Sequence, residues 1–152
     1  VKDTADIINE KLNLPLHRSE LLIEYKKPTS LLGVSLDGRE AKEFQEALLF
    51  HSHDPSWRFE DEETMTEMKE RTGQFLEEMK KVLQEHILVT THSIPLKMMV
   101  AITLVGKGPA AHYGVLQRLS TTNTGITVFQ LPSKAEDWKL LTFNDHAHLG
   151  EA

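Results

Sequence analysis

His92 is the residue whose setting points most directly to chemistry. It closes the apolar run Ile87-Leu88-Val89-Thr90-Thr91 and is followed by Ser93-Ile94-Pro95 and a second apolar stretch. That order places an imidazole where a buried strand turns into a helix. In open α/β sheets ligands bind at this end of the strands. The N-terminus of the following helix favours anions, with phosphate the obvious one. An imidazole there can face an oxyanion or exchange a proton, with its pKa tuned by a neighbouring carboxylate. It can equally be a neutral structural histidine with both ring nitrogens satisfied. Glu24 ends the segment Leu21-Leu22-Ile23-Glu24, just before an open loop. Such a carboxylate is ordinarily solvated. Beside His92, desolvation would raise its pKa and suit it to protonate a leaving group.

The other candidates are weaker. His51 and His53 form an H-x-H pair whose side chains share one face of an extended segment. Asp54, His92 or His146 could supply a third ligand, but no further metal spacing surrounds the pair, and no metal site is expected. Arg58, with Trp57, is placed at a pocket mouth as a candidate substrate contact, with a surface role as its alternative. The run Glu60-Asp61-Glu62-Glu63 reads as helix-end stabilisation plus solvation. Lys26-Lys27 reads as a solvated pair, with attraction of an anionic substrate as the alternative. No P-loop, dinucleotide-binding glycine fingerprint or Gly-x-Ser-x-Gly elbow is present.

The elements that must position these groups follow from periodicity. Residues 3–12 read as a helix with Ala5, Ile8 and Leu12 on one face, ended by Asn13 and Pro15. Residues 16–24 read as a short extended segment, 25–39 as loop, and 40–50 as a helix with Phe44 and Leu48 inward. Thr64 is an N-cap with Glu67 three residues on, a capping box. Met65, Met68, Thr72, Phe75, Met79 and Val82 continue that helix to about residue 84. Residues 87–91 read as a strand. Residues 94–104 read as an apolar helix with Pro95 in its first turn, terminated by Gly106, Gly108 and Pro109. Strands are expected over 115–120, 125–131 and 138–143, the second at an edge because Pro132 cannot donate a ladder hydrogen bond.

The order of elements predicts an α/β three-layer sandwich, with a mixed, mostly parallel sheet flanked by helices and its first strand missing from this chain. At 152 residues with 39% hydrophobic content, the chain is sized for one domain. The formal net charge of −6 and the lack of a broad basic patch argue against nucleic acid. The absence of cysteine excludes disulfides and thiolate catalysis. No stretch approaches a membrane span and none reads as a signal peptide, so a cytoplasmic location with no membrane partner is expected.

Several stretches, taken in order, resemble the histidine phosphatase superfamily in its phosphoglycerate-mutase-like branch. Thr4-Ala5-Asp6-Ile7-Ile8 is similar to the family's "TAEII" helix. Glu24, ahead of Gly33, is similar to the carboxylate of its "RE…G…G" region. Glu63-Thr64 is similar to its "ES" pair, Ile87 to Ser93 to its "VLVVSHG" strand, and Asn123 to Val128 to its "NASVTV" strand. The resemblance implies hydrolysis of a small phosphorylated substrate through phosphohistidine, without metal or other cofactor. A histidine in an Arg-His-Gly motif attacks phosphorus. A second histidine and two arginines hold the phosphoryl oxygens, and a carboxylic acid protonates the leaving group. By position His92 is the second histidine and Glu24 the proton donor, and the backbone at Ser93 helps bind the phosphoryl group.

The chain departs from that pattern in lacking Arg-His-Gly. The nucleophile and both arginines would fall ahead of Val1. Residues 1–152 are therefore expected to form an incomplete histidine-phosphatase-like domain, inactive alone. The missing part would lie on an N-terminal fragment, or a homo-oligomer would cover the open edge. Phosphoglycerate-mutase-type transfer, a degenerate binding module and an H-x-H metallohydrolase remain as alternatives.

Overall fold

The computed structural model describes residues 1–35, 37–106, 112–133 and 137–150. Its helices are α1 (Lys2–Leu12), α2 (Arg39–Phe50), α3 (Met65–Met79), α4 (Ser93–Val105) and α5 (His112–Arg118), and its strands are β1 (Ile126–Gln130) and β2 (Lys139–Asp145). Short 3-10 turns occupy Glu20–Leu22, Thr29–Leu31 and Ala147–Leu149.

The core is built on α3 and α4. Helix α4 is apolar on nearly every side, and Met98, Met99, Val100, Ala101 and Ile102 are buried in it. A helix with no polar face is a central helix. It packs against α3, α5 and β2. Helix α3 turns Met68, Thr72, Phe75 and Leu76 inward at three- and four-residue spacing. Its capping box forms as the sequence predicts: Thr64 Oγ1 accepts from the Glu67 amide at 3.1 Å, and Glu67 accepts from the Thr64 amide at 2.8 Å. The helix stops at Met79, short of residue 84, because the Lys81 and Val82 amides turn to the carbonyls three residues back. Val82 and Leu83 are left outside, Leu83 almost fully exposed.

Helix α1 ends at Asn13 in the left-handed conformation, φ 48°, and the Asn9 side chain pairs with both backbone groups of Leu14. Ala5 and Ile8 are half-buried and Leu12 is exposed, so this face has little to pack on. In α2, Phe44 is buried and Leu48 half-buried.

The sheet differs from the expectation. Among the described residues it is one antiparallel pair, β1 with β2, and no parallel three-layer sandwich forms. Segment 86–92 forms no strand there, and Ile87, Leu88 and Val89 are exposed. A buried parallel strand needs a neighbour on each edge and helices on both faces, and the sequence of the strand does not supply them. Segment 16–24 forms a 3-10 turn at 20–22 where an extended run was expected. Residues 115–120, expected as a strand, are helical through Arg118. His112 and Leu116 are buried four residues apart, a helical period that outweighs the short β-branched signal. Gly106 ends α4 at φ 77°, while Gly108 and Pro109 lie outside the described residues.

Candidate active site

The start of α4 positions His92. The residue sits at the N-cap in extended conformation, its carbonyl accepting from the Leu96 amide, and its side chain makes no capping bond. The imidazole is thereby not tied to the helix end, and it is partly exposed. Ser93, the first helical residue, shares a 2.6 Å hydrogen bond with the Thr121 hydroxyl in the loop before β1. Thr91, one residue before the cap, donates its hydroxyl to the Leu22 carbonyl at 3.2 Å. That bond joins the segment before His92 to the one carrying Glu24.

Glu24 Oε2 lies 3.8 Å from His92 Nδ1, with the two side chains 41% and 38% exposed. Glu24 Oε1 accepts from the Tyr25 amide at 2.8 Å, which fixes the carboxylate rotamer. An exposed pair at this distance adds little to stability. It does put a carboxylate and an imidazole side by side at the start of α4.

Arg58 is placed elsewhere. Its guanidinium meets Glu67 at 2.5 Å, against the first turn of α3. The Thr64 amide, with help from Arg58, holds the Glu67 carboxyl below its usual range. Arg18 pairs with Asp6, Arg39 with Glu43 and Arg71 with Glu63.

The acidic run 60–63 has a role that sequence reading missed. All four carboxylates reach back to segment 25–30. Glu60 accepts from the Ser30 hydroxyl, and Asp61 from the amide and hydroxyl of Thr29. Glu62, 1% exposed, accepts from the Tyr25 hydroxyl at 2.6 Å and the Phe59 amide at 2.8 Å. The Glu63 carboxylate accepts from the Lys26 amide at 3.5 Å, and the Glu63 amide donates to the Lys26 carbonyl at 2.9 Å. The two Thr29 donors, followed by Lys26, push the Asp61 carboxyl well below the ordinary aspartate range. Only the pairing of hydroxyl-bearing residues in 25–30 with acids in 60–63 could have signalled this, and such pairing is visible only once the register is known.

The H-x-H pair is occupied by packing. The His51 ring stacks on Trp57 at 4.3 Å and lies 6.5 Å from His53. No group of three or more potential metal ligands forms among the described residues. A cavity of about 420 Å³ lies along α3 between Pro55, Met65, Ile102 and His112, and neither His92 nor Glu24 lines it. His112 is buried there and donates through Nε2 to the Gly106 carbonyl at 2.7 Å, and its Nδ1 has no partner among the described residues. Burial pushes its pKa down.

Against this geometry, the family model of the histidine phosphatase superfamily (branch 1) matches residues 1–146. The chain belongs to that superfamily, whose chemistry is phosphoryl transfer through phosphohistidine on small phosphorylated substrates. No significant match to a curated protein is found. No helix among the described residues is long and apolar enough to cross a membrane.

Proposed function

We propose that this chain supplies the second histidine and the proton donor of a cytoplasmic, metal-independent phosphomonoesterase. The observation that carries the reading is the approach of Glu24 to His92 at 3.8 Å, over the N-terminus of α4. As the phosphoryl group leaves its ester oxygen, its equatorial oxygens need fixed positive donors. His92, with the first-turn amides at Ser93, serves that need. Glu24 gives its proton to the departing alkoxide, and the resulting carboxylate then takes a proton from the attacking water. The nucleophilic histidine that becomes phosphohistidine, and the phosphate-binding arginines, are expected on polypeptide other than 1–152. The uncovered apolar segment 86–92 is where an added strand would pair.

The test is hydrolysis of p-nitrophenyl phosphate by the native full-length polypeptide. Glu24→Gln should lower kcat by about 100-fold, within the range for general acid catalysis. Residues 1–152 alone should show no turnover. Robust hydrolysis by 1–152, or full activity of Glu24→Gln, would end this reading. A second reading, a binding module without catalysis, is favoured by one observation: four of the chain's five arginines, Arg18, Arg39, Arg58 and Arg71, are committed to carboxylates of this chain. Phosphate binding by the full polypeptide without turnover would select it.

A further inference from the structure

We propose that Arg71 is a positioning residue for Glu24. The proposal rests on the reading of Glu24 as proton donor. Glu24 belongs to no helix or strand, so its placement depends on what grips the backbone on either side of it. Arg71, 15% exposed on α3, grips both sides. Its Nη1 donates to the Leu21 carbonyl at 2.6 Å. Its Nε and Nη2 donate to the two oxygens of Glu63, at 2.5 Å and 2.9 Å. Glu63 in turn gives its amide to the Lys26 carbonyl at 2.9 Å. One guanidinium therefore holds Leu21 directly and Lys26 through Glu63, with Glu24 between them. The Thr91 hydroxyl pins Leu22 from the His92 side, and the Tyr25 amide orients the carboxylate itself. Three donors in one plane are needed to meet these acceptors. A lysine carries the same charge on one nitrogen and cannot span them.

The experiment is a double-mutant cycle on kcat, in the native full-length polypeptide with p-nitrophenyl phosphate. Displacing an acid by a fraction of an ångström to an ångström costs roughly ten- to a hundredfold. Arg71→Lys should lower kcat about tenfold and leave KM within about twofold. In Arg71→Lys/Glu24→Gln, kcat should equal that of Glu24→Gln alone, because Arg71 acts through the carboxylate. Amide exchange at Tyr25 should accelerate in Arg71→Lys while α3 and α4 stay protected. Wild-type kcat in Arg71→Lys, a double variant as slow as the product of the two singles, or unchanged Tyr25 exchange overturns the proposal. If Glu24→Gln keeps full kcat, the proton-donor reading fails and takes this one with it. If Glu24→Gln is slow and Arg71→Lys is not, the positioning role alone fails. Should Arg71→Lys not fold, Glu63→Gln loosens the same grip and enters the same cycle.

Discussion

Removing the Tyr25 hydroxyl isolates a single bond to a buried charge. Glu62 is 1% exposed, with the Tyr25 hydroxyl at 2.6 Å and the Phe59 amide at 2.8 Å as its hydrogen-bond donors. Tyr25→Phe keeps the ring, which packs against the core around Leu22 and Met68, and leaves a carboxylate oxygen without its donor. Hydrogen bonds to charged groups are worth about 1.5–3 kcal/mol, and burial of the acceptor places this one at about 2–3 kcal/mol. For a chain of this size that is a fall in Tm of roughly 5–10 °C. Urea titration at neutral pH measures the change directly. The same bond has an alkaline signature. Burial first, then the Glu62 hydrogen bond and charge, raise the Tyr25 pKa above the tyrosine range. Below about pH 10 the phenol is neutral both folded and unfolded, so its full contribution is present. Above that, the unfolded chain ionises first and stability falls with rising pH. The slope is at most about 1.4 kcal/mol per unit, less because the ring is only partly buried. Tyr25→Phe should lose that component of the slope. A destabilisation under about 0.5 kcal/mol, together with parallel stability curves above pH 10, would refute the reasoning.

Other perturbations probe separate parts. Met68→Ala, at a fully buried site on α3, should cost about 2–5 kcal/mol in urea unfolding. Thr64→Ala breaks the capping box and should cost about 1 kcal/mol, read the same way. Asp61→Asn addresses the acid limb. The folded carboxyl titrates below the unfolded one, so its stabilisation is present above about pH 4 and is lost as pH falls further. The Asn variant should therefore show a shallower loss of stability below pH 4 than the parent, by chemical denaturation at each pH. Leu88→Lys, on the exposed segment before His92, should reduce self-association of 1–152 in sedimentation velocity without lowering its Tm.

Local signals carried most of the helices. The Thr64–Glu67 box, the three- and four-residue apolar spacing of α3, and the apolar run with Pro95 in its first turn are each set by neighbours within one or two turns. β1 and β2 were legible as alternating segments around turn residues. The strand expected over 115–120 is helical through Arg118 because Val115 and Leu116 suit a strand as well as a short helix, and packing of His112 and Leu116 decides between them. Strand 87–91 has the composition of a buried strand, yet pairing is a property of two segments and cannot be read from one. The same holds for the site. Glu24 and His92 are brought together by long-range contacts, among them the Thr91–Leu22 bond and the grip of Arg71, across 69 and 50 positions of sequence. The resemblance named both residues; their spacing in the chain implies no proximity.

The acidic run explains why that proximity is specific. Four consecutive carboxylates ahead of a helix would, by local rules, serve the helix dipole. Instead each spends its acceptor capacity on segment 25–30, and Glu63 adds Arg71. The cost of gathering four negative charges is offset by hydroxyl, amide and guanidinium donors aimed at them. Glu24, immediately before this clamped segment, is the carboxylate left out of it. One oxygen rests on the Tyr25 amide, and the other lies 3.8 Å from an imidazole, beyond hydrogen-bond range. Glu24 thus keeps one oxygen turned to the imidazole, whereas the acids of 60–63 are turned to segment 25–30.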